Sequence, residues 1–235
     1  MTEEENKVQF YYGDSLIFEN GRIATGAYES KYVICPKCLR TTILVKECPN
    51  DIFHYNAEYD PYPDNVTLNI SNEKKFLDHV KRCTPVFEED GIYKCNSKKM
   101  HKLGVRFHFI GRNEPGYKKM LVSESAYVYV RDKRPISYIM FYPFRLSDSP
   151  TEFIFSNVFT FPQYRKQNIA TELFQFAIDD LKLDVSDLLY SPPLTLGGAR
   201  LLRKFAIDKL TPMGTEGGPQ SVDELEEYIK EFESE

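Results

Sequence analysis

Four residues with metal-ligand chemistry constrain this chain more than any other feature. Cys35 and Cys38 enclose a Pro-Lys pair on a tight turn, and His79 and Cys83 are four residues apart in a helical pattern. Residues four apart on a helix lie on the same face, so each pair offers two neighbouring ligands. Two ligands from a turn and two from a helix complete a tetrahedral site, which is typical of structural zinc. The sequence therefore predicts a Zn²⁺ that stabilises the fold and leaves no open position for catalysis.

A long polar segment separates the two ligand pairs. It contains NDIFHYNAEYDPYPDNV, which is rich in proline and aspartate and is typical of an inserted loop. Such an insertion is compatible with a shared site, because the entropy of loop closure grows only logarithmically with length. Cys48 and His54 lie in the insertion as spare ligand candidates. The alternative to zinc is a set of buried cysteines without a ligand.

The composition predicts a protein with a packed core, located by default in the cytosol or the nucleus. The chain has 235 residues, 42% hydrophobic and 28% charged, which is enough for one large domain or for one domain with a small appendage. No apolar run reaches the roughly 20 residues that span a bilayer. The first ten residues, MTEEENKVQF, are acidic and lack the order of a signal peptide. With five cysteines in that context, metal ligation is favoured over disulfides.

The net charge of −5 bears on the partner. An acidic protein suits a basic partner, although ordinary solubility explains the same balance. The negative net charge also argues against nucleic-acid binding as the main function. The ligand-bearing helix mixes charges of both signs and so does not resemble a basic recognition helix.

Periodicity predicts an α+β or α/β fold built on a mixed sheet, and we take α+β as the expected class. The predicted strands are VRFHFIG, SAYVYV, ISYIMFY, EFIFSNVFTF and DLLYS, and a hairpin turns at Glu19-Asn20-Gly21. The predicted helices cover residues 72–83, 170–182 and 197–206, and a capping box at 221–224 starts a last helix. The predicted units are an N-terminal hairpin segment (1–30), a zinc-finger module with its insertion (31–100), a central domain (101–212) and an acidic C-terminal helix (213–235).

The stretch FTFPQYRKQNIAT, residues 159–171, has the pattern of a strand end, a basic turn and a helix start. A helix N-terminus offers free backbone N–H groups and partial positive charge, so a pyrophosphate suits it, aided by Arg165 and Lys166. Such a turn needs a residue that tolerates positive φ, and Asn168 is the best choice after glycine. The small Ala170 permits close approach. The alternative is an ordinary basic surface turn.

In these motifs the chain resembles the MYST histone acetyltransferases, which have the GNAT fold. The family has C-x-x-C-L, H-x-x-x-C, a proline-containing stretch ending in E-I-Y-R, L-T-L-P-P-Y-Q-R-K-G-Y-G and S-P-E-K-P-L-S-D-L-G. This chain has, in the same order, CPKCL (35–39), HVKRC (79–83), GIYK (91–94), FTFPQYRKQNIA (159–170) and SPPLTLGG (191–198). The chain is also similar to the cohesin acetyltransferases, which have His where Cys83 stands and Asp where Pro192 stands.

The MYST resemblance implies a GNAT-type acyltransferase sheet, flanked by helices, with a small N-terminal C2HC zinc-finger module. It implies acetyl-CoA as cofactor and a location in the nucleus. The implied acetyl-CoA contacts are Val158, Phe159 and Thr160 on the strand, the turn residues Arg165, Lys166, Gln167, Asn168, Ile169, Ala170 and Thr171, and Ser191 beside the cofactor.

The chain departs from the family at both expected catalytic positions. Asn157 occupies the place of the family's cysteine, and the family's glutamate is missing between Pro192 and Pro193. Amine attack needs a base near the thioester, and an asparagine cannot act as one. Glu152 is the nearest carboxylate on the strand, with Asp148 beyond it. Strand alternation places Glu152 and Asn157 on opposite faces unless a bulge intervenes; otherwise Glu152 is a solvated strand-end charge.

Two functions follow from the resemblance. The first is acetyl transfer from acetyl-CoA to a lysine of a histone tail or another basic protein, by direct attack in a ternary complex, with strand amides stabilising the oxyanion. The second is a catalytically degenerate module that assembles chromatin-complex subunits without turnover. Acetyl transfer is the first hypothesis, and the loss of both expected catalytic positions is the main support for the second.

Overall fold

The computed structural model describes residues 8–12, 15–18, 23–24, 30–45, 70, 73–111, 125–145, 151–161, 164–214 and 217–234. In these residues the fold is α+β, with a mixed six-stranded sheet flanked by helices. The N-terminal strands are β1 (Val8–Tyr12), β2 (Ser15–Phe18), β3 (Ile23–Ala24), β4 (Ser30–Ile34) and β5 (Thr41–Val45). The main sheet consists of β6 (Gly91–Lys94), β7 (Ala126–Arg131), β8 (Arg134–Phe144), β9 (Glu152–Thr160), β10 (Asp187–Tyr190) and β11 (Lys209–Pro212). The helices are α1 (Glu73–Arg82), α2 (Lys98–Gly111), α3 (Ile169–Leu181), α4 (Leu196–Phe205) and α5 (Val222–Ser234).

The main sheet has the order β11-β10-β9-β8-β7-β6. Strands β6 to β9 pair antiparallel, whereas β9, β10 and β11 run parallel. The parallel strands need crossover connections, and α3 and α4 supply them. Because the carboxyl ends of β9 and β10 lie at one edge, the chain leaves both strands there before α3 and α4 begin. This edge is where open parallel sheets receive ligands.

The two faces of the main sheet are packed differently. One face packs against α2 through buried residues such as Leu103, Phe107 and Phe159. The other packs against α3 and α4, where Phe174 meets Phe141 and Phe155 edge-on. The sheet is therefore a central layer between helices.

The N-terminal strands form two further sheets, β1-β2-β3 and β4-β5. β2 pairs antiparallel with β3, which agrees with the predicted hairpin, although its turn at 19–21 lies outside the described residues. Cys48, His54 and Asp148 also lie outside them. The six-stranded sheet begins at Gly91, before the predicted start of the central domain at residue 101, and ends at Pro212.

The prediction of a strand at VRFHFIG is wrong, because these residues belong to α2. The short window alternates between apolar and polar residues and so imitates a strand. Met100, Leu103 and Phe107, three and four residues apart, bury their side chains as helical spacing requires. The upstream spacing therefore overrides the local alternation.

The other predicted elements are confirmed, with ends that differ by one or two residues. At the start of α5, Ser221 Oγ accepts a hydrogen bond from the Glu224 amide over 3.2 Å. Glu224 reaches back to the amide of Gln220 over 2.8 Å, one residue before the position that the capping-box pattern predicts. Among the described helices, none is long and apolar enough to cross a membrane.

Candidate functional site

The two cysteines of the first ligand pair lie on a closed turn after β4. The Cys35 amide donates to the Arg40 oxygen over 2.9 Å, and the Leu39 amide donates to the Cys35 oxygen over 2.8 Å. Leu39 has a φ of 58°, in the left-handed region. These bonds point both thiols to one side, and both are buried, with Phe76 of α1 against them.

The second ligand pair lies at the end of α1. The Cys83 amide donates to the His79 oxygen over 2.7 Å, which keeps the two side chains one turn apart on one face. The ligand atoms of Cys35, Cys38, His79 and Cys83 all lie within 4.8 Å of one another, and Cys38 Sγ is 3.6 Å from His79 Nε2. Three thiols and an imidazole at this separation are the donor set of a tetrahedral zinc site. The sequence prediction of the cluster is confirmed, and the cluster could hold a structural zinc ion.

The thiols of the cluster influence one another. A hydrogen bond with Cys35 lowers the pKa of Cys38 to about 5, and the same bond, together with burial, raises the pKa of Cys35 above its ordinary value. Burial also raises the pKa of Cys83. A bound divalent cation would allow all three thiols to ionise together, because it binds each sulfur as a thiolate.

A second feature is the split between β9 and β10. The register between these strands pairs Tyr190 with Phe155, and the Ser191 amide donates to the Phe155 oxygen over 2.9 Å. After Ser191 the chain turns away from β9 and leads to α4, whereas β9 continues to Thr160. The predicted cofactor residues Val158, Phe159 and Thr160 therefore extend past the end of β10, and Ser191 lies at the point of separation.

A β-bulge at Ser156 decides which residues of β9 share a face. Met140 of β8 pairs with Asn157, and the next residue, Phe141, pairs with Phe155, so Ser156 is the extra residue. Residues paired across strands lie on the same face, and the bulge therefore brings Glu152 and Asn157 to one face.

The two candidate catalytic residues are nevertheless well separated along β9. Glu152 is the first residue of the strand and is exposed, whereas Asn157 is buried. Four to five strand residues correspond to about 13–16 Å. The structure does not bring the Glu152 carboxylate to the Asn157 amide.

The basic turn ends in the predicted backbone conformation. Asn168 is the N-cap of α3 with φ 61° and ψ 5°, so the left-handed conformation predicted for it is confirmed, and its side chain makes no cap hydrogen bond. Lys166 is also left-handed, with φ 60°. Arg165, Lys166, Gln167 and Asn168 are exposed. The helix then starts with a bond from the Glu172 amide to the Asn168 oxygen.

Residues distant in sequence hold this turn. Arg165 Nε donates to the Thr160 oxygen over 2.8 Å, which ties the turn to the end of β9. Arg131 of β7 donates to Gln167 Oε1 over 2.7 Å. Lys204 of α4 donates to Thr171 Oγ1 over 2.9 Å and lies 3.5 Å from Asn168 Oδ1. Arg131 and Lys204 add positive charge near the start of α3.

Sequence reasoning missed Arg131, Lys204 and the bulge residue Ser156. Arg131 and Lys204 are more than 30 residues from the groups that they contact, and neither belongs to a motif. The bulge follows from the pairing of β8 with β9, which a single-strand pattern does not reveal. Each ligand pair of the Cys/His cluster and the turn at Asn168, by contrast, depend on local spacing that a sequence displays.

Comparison with models of known protein families finds no match for this chain, and comparison with curated proteins finds no relative.

Proposed function

We propose that this chain is an acetyl-CoA-dependent lysine acetyltransferase of the GNAT type, acting on a histone tail or another basic protein in the nucleus. The observation that carries the proposal is the β9–α3–β10 unit, in which a left-handed Asn168 starts α3 beside the split between the parallel strands. That combination offers backbone N–H groups to a pyrophosphate and open strand backbone to an acyl group.

The charges around the turn support an anionic ligand. Arg165 and Lys166 are exposed on it, and Arg131 and Lys204 contact it from β7 and α4. The main chain of Val158, Phe159 and Thr160 would run alongside the acetyl and pantetheine groups. Acetyl-CoA supplies an acetyl group as a thioester, which a neutral lysine amine attacks with release of CoA.

The metal cluster would have a supporting role in such an enzyme. Its four ligands come from the protein, so a bound zinc has no open position for substrate. Ile34 and Leu39, which flank the cysteine turn, are buried in the same cluster as Phe159. A zinc ion would thus stabilise the packing beneath the proposed acetyl site.

One observation favours a second candidate, a chromatin or complex-assembly module without turnover. Glu152 is the one carboxylate on β9, and it lies at the exposed start of the strand, away from Asn157. A base at that distance would have to act through water. The enzyme proposal predicts that Glu152→Gln lowers turnover, and the module proposal predicts no turnover to lower.

Calorimetric titration of the zinc-loaded protein with acetyl-CoA tests the proposal first. Saturable binding is expected, with at least tenfold weaker affinity in Lys166→Glu. Lys230→Glu on the exposed side of α5 makes the same charge change away from the turn and should bind normally. Absence of binding at millimolar acetyl-CoA would overturn the proposal, and normal binding without acetyl transfer to histones or other basic proteins would favour the module.

A further inference from the structure

The side chain of Asn157 is buried but only partly satisfied. Its exposed fraction is 6%, and its Nδ2 donates to Ser156 Oγ over 2.9 Å. Within the described part of the chain, its Oδ1 accepts no hydrogen bond. The large majority of buried side-chain polar atoms have a hydrogen-bond partner, so an unsatisfied amide inside a sheet requires an explanation.

The choice between the two ends of the amide does not remove the problem. If the amide were rotated by half a turn, Oδ1 would face Ser156 and Nδ2 would lack a partner instead. An unsatisfied buried polar atom lowers the stability of the folded protein, because it gives up its hydrogen bonds to water and gains none in return. An apolar side chain of the same shape would avoid that cost, so stability alone does not account for an asparagine at this position.

The position of Asn157 points to a ligand. It follows the bulge at Ser156 and lies two residues beyond Phe155, where β10 separates from β9. Asn157 and Phe159 are two residues apart on β9, so both lie on the face of the sheet that packs on α2. Asn157 is thus the partly satisfied polar group nearest the split on this face, among the residues described for β9.

The chemistry of the unsatisfied atom narrows the ligand. A buried carboxamide oxygen accepts a hydrogen bond and neither takes nor gives a proton at neutral pH. The neutral lysine amine, which is the form that attacks a thioester, carries two N–H groups. An acceptor that engages one of them would fix the direction of the nitrogen lone pair, which is a gain in orientation.

Resting on the proposed function, we propose that Asn157 Oδ1 accepts a hydrogen bond from the substrate lysine amine and orients it toward the acetyl group. Asn157 then occupies the place of the family's cysteine as a hydrogen-bonding group, with no covalent role. The proton that the amine loses goes through water to the Glu152 carboxylate, the base that the enzyme proposal names. Asn157 would therefore orient the substrate amine, and Glu152 would receive its proton.

Binding of a bisubstrate conjugate tests the inference without turnover. The probe is CoA joined through an acetyl spacer to the side-chain nitrogen of lysine in a short basic peptide, which keeps one N–H. Calorimetry should show the conjugate binding Asn157→Leu about tenfold more weakly than the parent protein, a loss equal to one hydrogen bond. Acetyl-CoA alone should bind both proteins within twofold. Asn157→Asp keeps an acceptor oxygen and should retain most of the affinity for the conjugate.

Thermal unfolding separates this role from a structural one. Asn157→Leu should unfold at the same or a higher temperature than the parent, because it removes an unsatisfied group. Ser137→Ala is the matched control on β8, since its buried hydroxyl bonds to the Phe159 oxygen and to Thr160 Oγ1, and it should unfold at a lower temperature. A large loss of stability in Asn157→Leu would identify a structural residue and overturn the inference.

The two proposals fail in different ways. If the parent protein binds acetyl-CoA and the conjugate binds Asn157→Leu as tightly as the parent, the role of Asn157 is wrong and the proposed function stands. If the parent protein does not bind acetyl-CoA, the proposed function is wrong and the inference falls with it.

Discussion

The Arg106 guanidinium donates a hydrogen bond from Nη1 to the backbone oxygen of Cys38 over 2.8 Å. The two residues are 68 positions apart, and the bond joins α2 to the cysteine turn. Burial lowers the pKa of Arg106. Helix α2 also packs on β8 and β9 through Phe107. It therefore connects the Cys/His cluster to the sheet that carries the proposed acetyl site.

Replacement of Arg106 by methionine should destabilise the protein. The substitution removes the bond to Cys38 while keeping most of the side-chain volume, so the free energy of unfolding should fall by about 1–2 kcal/mol. Urea unfolding measures the change. Lys102→Met, on an exposed position of the same helix, should change stability by less than about 0.5 kcal/mol. Equal losses in the two variants would contradict a special role for Arg106.

Removal of the metal should unfold the module around the cysteine turn. The protein is expected to contain one Zn²⁺ per chain by elemental analysis and to lose it in Cys38→Ser, with a lower melting temperature in both the chelated protein and the variant. Cys95 is buried outside the cluster, and burial raises its pKa to about 12. Cys95→Ala should therefore keep the full metal content, and a protein with no zinc at all would show that the cluster is not a metal site.

Substitution of Gly218 by alanine should be costly for a steric reason. A methyl group at Gly218 would overlap the Tyr190 hydroxyl, which donates to the Pro219 oxygen over 2.9 Å. Overpacking of this kind costs about 1–3 kcal/mol. At Gly217 a methyl group meets nothing within 4 Å, so Gly217→Ala is the matched control. Chemical denaturation of the two variants gives the difference, and adding Tyr190→Phe to the Gly218 variant should restore part of the loss.

The stability should depend on pH through Asp180. Its carboxylate accepts hydrogen bonds from Lys94 and from the Tyr127 hydroxyl, each over 2.6 Å, and these bonds lower the pKa of Asp180 below the ordinary 3.8. A lowered pKa gives stability that is present above about pH 4 and is lost as the pH falls through the pKa of the folded state.

Asp180→Asn tests this dependence. The pair with Lys94 is about one third exposed, so the variant should lose only about 0.5–1 kcal/mol at pH 7. The difference from the parent protein should shrink below pH 4, as measured by urea unfolding across pH 3–7. A difference that is constant with pH would contradict the ionic contribution.

The left-handed conformation of Asn168 predicts a ranking of substitutions. Asn168→Gly should be as stable as the parent or more stable, whereas Asn168→Val should lose about 1–2 kcal/mol, because a β-branched residue is strained at φ 61°. Thermal unfolding of both variants measures the ranking. If valine were tolerated as well as glycine, the turn would not hold this conformation in solution.

The spacing of residues in the sequence determined the two ligand pairs of the Cys/His cluster, most of the helices and strands, and the conformation of the basic turn. Each of these depends on neighbours in the chain: two cysteines on one turn, a histidine and a cysteine one helical turn apart, and a small set of residues that tolerate positive φ. Such local requirements leave a pattern that can be read without a fold. The same kind of pattern misled at VRFHFIG, where a short alternation was weaker than the helical spacing of the residues before it.

The tertiary structure alone decided which distant residues meet. The bulge at Ser156 arises from the register between β8 and β9, and it sets the face on which Asn157 and Glu152 lie. The contacts of Arg106 with the cysteine turn and of Lys204 with the start of α3 join residues that no spacing rule connects. These relationships depend on strand register and helix packing, which are fixed by burial of the whole core and not by any one segment.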